Sequence, residues 1–220
     1  MLYIVSTPIG NLKDITLRAI DTLRMVDLVA AEDTRHTGIL CREYGITAPL
    51  TSCFEHNEQG KAAQFLALLK EGKNIALVSD AGTPGISDPG FRLIRLAKEN
   101  GIEMTVVPGA CAAIAALTLS GLPSDEFVFK GFLPVKPGQR RKALEQVRGA
   151  EGTVIFYESP HRLLKSLQDA VEVLEDPLMV VTRELTKKFE ERREGRASEL
   201  LAYFSSHKIL GEFVLLFPPQ

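Results

Sequence analysis

Residues 77–90 constrain the fold of this chain more than any other stretch. An apolar strand over Ile75–Val78 continues into a loop that holds three glycines and two prolines. Asp88 and Pro89 predict the next helix, with the carboxylate as N-cap and the proline in the first turn. A strand, a glycine-rich loop and a helix N-terminus form a ligand cradle in α/β sheets, and Asp80 would lie at the end of the strand. The alternative is a structural turn in which the aspartate only caps, because the loop matches neither GxGxxG nor a P-loop.

Strands and helices alternate through the first half of the sequence. Strands are predicted at 2–5, 28–31, 50–54, 75–78 and 103–107, and helices at 60–71, 89–100 and 112–119, with a short one ending near 45. A further helix would place Ile15, Ala19, Leu23 and Val26 on one face. This alternation predicts a mostly parallel sheet with helices on its faces. Loops with proline or glycine follow the strands at 7–10, 80–85 and 108–109, at the edge where open α/β sheets bind ligands.

Residues 121–125 have the composition of a domain boundary, and the second domain is predicted to begin at about residue 120. The predicted division is an N-terminal α/β domain over 1–119 and a C-terminal α/β domain over 120–220. Beyond it the predicted strands, at 127–133, 153–157, 178–182 and 212–217, are richer in β-branched and aromatic residues. Helices are predicted at 140–148, 161–175 and 197–204. We expect a more antiparallel sheet in this second domain.

Composition limits the possible function classes. Hydrophobic residues make up 45% and charged residues 25%, as in an ordinary globular protein, and no apolar run is long enough to span a bilayer. The net charge of −2 gives no global basic field, so any nucleic-acid contact must depend on local patches. Three cysteines without CxxC spacing predict a cytoplasmic protein with neither a zinc site nor a disulfide framework.

Four polar clusters follow strands or occupy helix starts, at 32–36, 136–142, 158–162 and 183–187. They could form a reactive site, or they could be caps, rim salt bridges and a solvated helix face. A hydrolase that uses Ser159 and His161 is disfavoured because no GxSxG motif surrounds them. The histidine spacing does not favour a metal site.

Six segments, in order along the chain, resemble a known family: LYIVSTPIGNL at 2–12, AEDTR at 31–35, VSDAGTP at 78–84, PG at 108–109, FYESPHR at 156–162 and RELTK at 183–187. Over nearly its whole length the chain is similar to bacterial 16S ribosomal RNA (cytidine-2′-O)-methyltransferases, a family within the tetrapyrrole (corrin/porphyrin) methylase superfamily. The resemblance implies a homodimer that acts on the small ribosomal subunit. It also implies two α/β domains with S-adenosylmethionine in a cleft between them. Family members usually continue into a small basic helical tail, whereas this sequence stops at residue 220.

The resemblance also implies which residues contact the cofactor: Pro8, Asp80, Gly82, Thr83, Cys111, Ala112, Tyr157 and Leu185. A ribose hydroxyl is a weak nucleophile that gains from a general base or from a cation that stabilises the alkoxide. The candidate bases are Glu184, Asp33, Glu158 and His161. The candidate cations, which could hold a phosphate or stabilise the alkoxide, are Arg35, Arg162, Arg183 and Lys187. Phosphate contacts are expected from Lys136, Arg140, Arg141 and Lys142.

Two other functions stay open on the sequence. The first is a methylase of the same superfamily that acts on a tetrapyrrole or on a protein side chain, and the basic run favours RNA over an apolar macrocycle. The second is a non-catalytic module that keeps the cofactor fold, and the polar clusters at several strand ends argue against it.

Overall fold

The computed structural model describes residues 1–53 and 58–219, which form two compact units, Met1–Cys111 and Ala112–Gln220. Residue 54, the predicted end of the third strand, lies outside the described residues. None of the described helices is long and apolar enough to cross a membrane.

The first unit contains a five-stranded parallel sheet, which confirms the sequence prediction. Its strands are β1 (Leu2–Val5), β2 (Leu28–Ala31), β3 (Leu50–Ser52), β4 (Ile75–Val78) and β5 (Met104–Val107), in the order β3-β2-β4-β1-β5. A 3₁₀ turn covers Leu12–Asp14, and the helices are α1 (Leu17–Met25), α2 (Thr34–Glu43), α3 (Glu58–Lys70) and α4 (Phe91–Glu99). All residues of β4 are buried, as a central parallel strand covered on both faces requires.

Helix α4 begins later than predicted, at Phe91, with Gly90 in the N-cap position. The predicted N-cap Asp88 is therefore wrong. The chain before the helix is occupied by turns, in which the Ile86 amide donates to Thr83 and the Gly85 amide to Pro89. These turns delay the helix until the glycine, so the loop after β4 is longer than the sequence indicates.

The second unit contains a mixed sheet in the order β6-β7-β10-β8-β9. Its strands are β6 (Phe127–Phe132), β7 (Thr153–Glu158), β8 (Leu178–Arg183), β9 (Glu191–Arg196) and β10 (Phe213–Phe217), and its helices are α5 (Ala112–Ser120), α6 (Pro137–Glu145), α7 (Leu163–Val173) and α8 (Ala197–Ser205). Strands β6 and β7 are parallel and the other neighbours are antiparallel, which confirms the more antiparallel sheet. Strand β9 was not predicted.

Helix α5 belongs to the second unit because it packs on β7, β8 and β10. The two units therefore divide between Cys111 and Ala112, earlier in the chain than the predicted boundary at 119–120. The opposite face of the sheet carries the main core, where Phe156, Phe213 and Phe217 pack with residues of α7 and α8.

The strand register places side chains on known faces of this sheet. One row across the ladder contains Tyr157, Val214, Thr182 and Arg192, and the next contains Glu158, Phe213, Arg183 and Glu191. Successive strand residues point to opposite faces. Because Phe213 lies in the core, its row faces α7 and α8, and the row of Tyr157 faces α5.

Candidate active site

The loops after β1 and β4 are joined at the carboxyl edge of the first sheet. Thr7 and Gly82 exchange two backbone hydrogen bonds, with N–O distances of 2.9 and 3.1 Å. The Ser6 and Thr83 hydroxyls lie 2.9 Å apart, and Thr7 Oγ1 donates to the Ser79 carbonyl at 3.0 Å. Three of the proposed cofactor contacts, Pro8, Gly82 and Thr83, lie in or next to this joined pair of loops. The polar groups are therefore held in fixed positions before any ligand binds.

Asp80 connects the β4 loop to the loop after the neighbouring strand β2. Its Oδ1 accepts from the Asp33 amide at 3.0 Å, and its own amide donates to Glu32 Oε2 at 3.2 Å. Asp80 therefore has a structural role, because its carboxylate accepts a hydrogen bond from a backbone amide. The same contacts hold its half-buried carboxylate at the strand end.

Two carboxylates of the β2 loop differ in proton affinity. The side-chain hydrogen bonds from Arg35 hold the pKa of Asp33 far below its ordinary value, with the Arg35 Nη2–Asp33 Oδ2 distance at 2.6 Å. Asp33 also caps α2. A carboxylate that binds a proton so weakly is a poor general base. Arg35 itself is 90% exposed.

Glu32 is the carboxylate of this loop that sequence reasoning did not select. Burial raises the pKa of Glu32, an effect that the Asp80 amide opposes and the nearby Asp80 and Asp33 carboxylates reinforce. A raised carboxyl pKa suits proton transfer better than a lowered one. The sequence places Glu32 in the polar cluster, but only the structure shows its burial.

The loop after β5 approaches the loop after β1 closely. A Cβ atom at Gly109 would lie 2.9 Å from the Ser6 Cβ, so only glycine fits here without movement. Cys111, which follows in this loop, is partly exposed. The close approach to Ser6 therefore explains why glycine occupies position 109.

Glu158, a candidate base, is buried, and both of its carboxylate oxygens accept hydrogen bonds. Its Oε1 accepts from the Ser159 amide at 2.7 Å and from Arg162 Nε at 2.9 Å, and its Oε2 accepts from the Ser166 hydroxyl. It faces α7, on the side of the sheet away from Tyr157. These contacts correct the sequence interpretation: Glu158 positions Arg162 and the start of α7 and is not placed to take a proton from a substrate. His161 is exposed at the same strand end.

Tyr157 links β7 to the start of α5. Its hydroxyl accepts from the Ala113 amide at 3.1 Å, next to Ala112. The Phe129 and Phe132 rings pack edge-on against it at centroid distances of 4.8 and 5.5 Å. Two of the proposed cofactor contacts, Ala112 and Tyr157, are therefore close together.

The chain after β8 forms a tight, charged turn. Lys187 Nζ lies 2.8 Å from Glu184 Oε1 and 3.0 Å from Glu212 Oε2. Glu184 and Thr186 have positive φ angles of 49° and 66°, which non-glycine residues adopt rarely and which concentrate at functional sites. Leu185 between them is 8% exposed. The turn places the Lys187 ammonium close to the end of β8.

Arg183, another candidate cation, is engaged by protein groups. Its Nε lies 2.8 Å from Glu191 Oε2, and its Nη1 donates to the Lys208 carbonyl at 3.3 Å. It shares a face with Glu158, on the side of α7 and α8. This arrangement favours a structural ion pair over a role at the substrate.

The predicted RNA contacts divide into two groups. Arg140 is buried, with its Nε 2.6 Å from Asp169 Oδ2, and Arg141 pairs with both Asp169 and Glu172. Arg140 is therefore corrected to a structural residue that joins α6 to α7, because its guanidinium is not accessible to a phosphate. Lys136 and Lys142 are exposed.

The three cysteines, which all lie within the described residues, form no disulfide bond. Within residues 1–53 and 58–219, no three His, Cys, Asp or Glu side chains lie close enough together to hold a metal ion.

The comparisons with known proteins agree on one family. The sequence profile described as "Tetrapyrrole (Corrin/Porphyrin) Methylases" matches residues 1–201. A protein of Escherichia coli O157:H7 named "Ribosomal RNA small subunit methyltransferase I" is 55% identical over 98% of this chain and 76% of its own length. A protein of the same name from Thermotoga maritima is 46% identical over 98% of this chain and 96% of its own length.

Solved structures support the fold independently. The structure titled "Crystal structure of the methyltransferase CobJ" has a TM-score of 0.73 at 19% identity, covering 99% of this chain and 93% of its own. The uroporphyrin-III-C-methyltransferase from Thermus thermophilus has a TM-score of 0.67 at 20% identity, covering 98% of this chain and 93% of its own. At these identities the likeness shows the fold alone.

Proposed function

Because the chain belongs to the tetrapyrrole (corrin/porphyrin) methylase family, we propose that it is an S-adenosylmethionine-dependent methyltransferase of small-subunit ribosomal RNA. We further propose that it methylates the 2′-hydroxyl of a cytidine in 16S rRNA. The observation that carries the proposal is the 55% identity, over 98% of the chain, to a protein named as a ribosomal RNA small subunit methyltransferase.

The proposed cofactor contacts have suitable chemistry. When bound, S-adenosylmethionine supplies a methyl group on a positively charged sulfur. Asp80 offers a carboxylate that hydroxyl or cationic groups can approach, Thr83 and Tyr157 offer hydroxyls, and the β1 and β4 loops are already held together. Pro8, Gly82, Cys111, Ala112 and Leu185 complete the proposed set.

We propose Lys187 as the cation that stabilises the developing alkoxide. Two carboxylates hold its ammonium at the end of β8, so its position is fixed before the reaction. Burial lowers its pKa, but the hydrogen bonds to Glu184 and Glu212 outweigh this and raise the pKa above its ordinary value. Lys187 therefore stays cationic at neutral pH, as electrostatic stabilisation of an oxyanion requires. Glu184 either holds this cation or accepts the hydroxyl proton.

The test is methylation of small ribosomal subunits isolated from cells that lack the enzyme. Purified protein is incubated with these subunits and labelled S-adenosylmethionine, and the labelled nucleotide is mapped. We expect the label on the ribose of one cytidine in 16S rRNA. Label in ribosomal protein, or transfer to a tetrapyrrole with none to RNA, would contradict the proposal.

We also propose a cytoplasmic homodimer. Light scattering should give twice the chain mass of 24.2 kDa at micromolar concentration. A mass of 24.2 kDa under these conditions would exclude the dimer.

A further inference from the structure

An aromatic side chain lies exposed at the carboxyl end of β6. Phe132 is 50% exposed although it is the last residue of a strand in the second sheet. One edge of its ring packs against Tyr157 at a centroid distance of 5.5 Å and an angle of 67°. Exposing so much of a phenylalanine to water is unfavourable, so a ligand or partner that covers the ring gains free energy.

A β-bulge brings this ring to Tyr157. Phe129 pairs with Ile155 but Phe132 pairs with Tyr157, so β6 advances three residues where β7 advances two. Without the extra residue, Gly131 would lie opposite Tyr157. Gly131 has a φ of 69°, which a residue with a side chain would adopt only with strain. Bulges of this kind re-aim a side chain, and here the aromatic ring is aimed beside a proposed cofactor contact.

A fixed guanidinium lies over the same ring. Arg162 Cζ is 5.9 Å from the Phe132 centroid, and Glu158 holds Arg162 through a 2.9 Å bond to Nε. The Arg162 side chain keeps 21% of its surface exposed. Arginine in such a position can bind a phosphate while the ring beside it accepts a base.

The chain around this ring is basic. No Asp or Glu occurs in residues 127–144 or 159–168, which include the exposed Lys136 and His161 as well as Arg162. An exposed aromatic ring beside a guanidinium, in a part of the chain rich in Lys and Arg, suits a single-stranded nucleic acid, which offers both a flat base and a phosphate.

We propose that Phe132 is a stacking platform for an unpaired base of the RNA substrate and that Arg162 contacts an adjoining phosphate. This inference rests on the proposed function. It adds a base-binding subsite beside Tyr157, where a splayed-out nucleotide would be held close to the transferred methyl. Recognition of single-stranded RNA by aromatic side chains follows the same physical pattern.

The experiment compares Phe132→Leu with Phe132→Trp in the full chain. Leucine keeps apolar volume but removes the aromatic face, whereas tryptophan keeps a face for stacking. The substrate is the small subunit from cells that lack the enzyme, and the KM for subunits and the kcat are measured at saturating S-adenosylmethionine. Phe91→Leu is the matched control, because Phe91 is 63% exposed but lies on α4 of the first unit.

We expect Phe132→Leu to raise the KM for subunits about tenfold, the scale of one lost base–aromatic stack. Phe132→Trp should stay within about twofold of the unchanged protein, as should Phe91→Leu. Cofactor affinity by calorimetry should not change in any of the three variants. A leucine variant with an unchanged KM overturns the stacking proposal.

Two other outcomes also overturn it. Weaker cofactor binding in Phe132→Leu would show that the ring only supports Tyr157. A change in mass by light scattering would show that Phe132 is a subunit contact. Failure of the proposed function gives a different result: the unchanged protein itself then transfers no label to the subunits, and both proposals are overturned.

Discussion

At the scale of single residues, Asp80 has both a structural and a proposed binding role, and two substitutions separate them. Asp80→Asn keeps an oxygen for the Asp33 amide but removes the charge, whereas Asp80→Ala removes both. We expect both variants to weaken S-adenosylmethionine binding by roughly tenfold or more, the scale of a hydrogen bond to a charged group. The fold should stay intact in each. Calorimetry checks this, and unchanged affinity in both would leave Asp80 only as a cap.

Lys187→Ala should lower the single-turnover rate of subunit methylation by roughly a hundredfold, the scale of one lost charge-stabilising donor. Cofactor affinity and melting temperature should change little. Lys188→Ala is the matched control, because Lys188 is the next residue of the same turn and is exposed. Near-normal turnover in Lys187→Ala would remove this residue from the active site.

The sequence predicts which strand ends carry polar residues, but it does not predict how those residues pair. Asp80 and Lys187 are recognisable from their positions after buried strands. Glu158 looks equally reactive in the sequence, yet Ser159, Arg162 and Ser166 occupy its oxygens. These partners come partly from a helix that begins after the motif, and a linear pattern does not show which way a side chain turns.

At the scale of elements, apolar strands could be predicted from the sequence and a charged one could not. The bounds of β1, β2 and β4 agree with the prediction because each is a short apolar run. Strand β9 reads ERREGR and has no apolar residue. Its side chains are held by specific pairs instead, such as Arg193 Nε with Glu191 Oε1 at 2.6 Å and Arg193 over the Tyr203 ring at 3.4 Å.

The buried ion pair between α6 and α7 gives a prediction at this scale. Asp169→Ala should lower the free energy of unfolding by about 3–5 kcal/mol, because it leaves Arg140 buried without its partner. Arg141→Met should cost about 1 kcal/mol or less, since the Arg141 side chain is 46% exposed. Urea denaturation measures both.

The ion pair between Arg140 and Asp169 also tests the structural role assigned to Arg140. Arg140→Met should destabilise the protein. A variant of normal stability that has lost affinity for the subunits would return Arg140 to the RNA interface.

At the scale of the whole molecule, carboxylates in both units give a common response to acid. The pKa values of Asp33 and Asp176 lie below their ordinary values, the first through bonds from Arg35 and the second through bonds from the Ser198 amide and hydroxyl. A carboxylate whose pKa is lower in the folded state stabilises the protein at pH values above its unfolded-state pKa of about 4. This stability is lost as the pH falls through the folded-state pKa. The melting temperature should therefore decline below about pH 4.

Asp176→Asn should reduce this acid dependence, because asparagine does not titrate. The Asp176 carboxylate accepts from the Ser198 amide at 2.7 Å and from the Ser198 hydroxyl at 2.8 Å. Asp125→Asn, at an exposed position, is the control. Thermal melts between pH 2.5 and 7 compare the variants, and parallel curves for Asp176→Asn and the unchanged protein would contradict the assignment.

The strand orders of the two sheets have a consequence for synthesis on the ribosome. The last strand of the first sheet, β5, joins at an edge beside β1, so the sheet is assembled from residues 2–107 without any later segment. In the second sheet the last strand, β10, lies between β7 and β8. Until residues 213–217 leave the exit tunnel, β7 and β8 have no partner on their inner sides. The first unit can fold while translation continues, whereas the sheet of the second unit stays incomplete until its central strand has been synthesised.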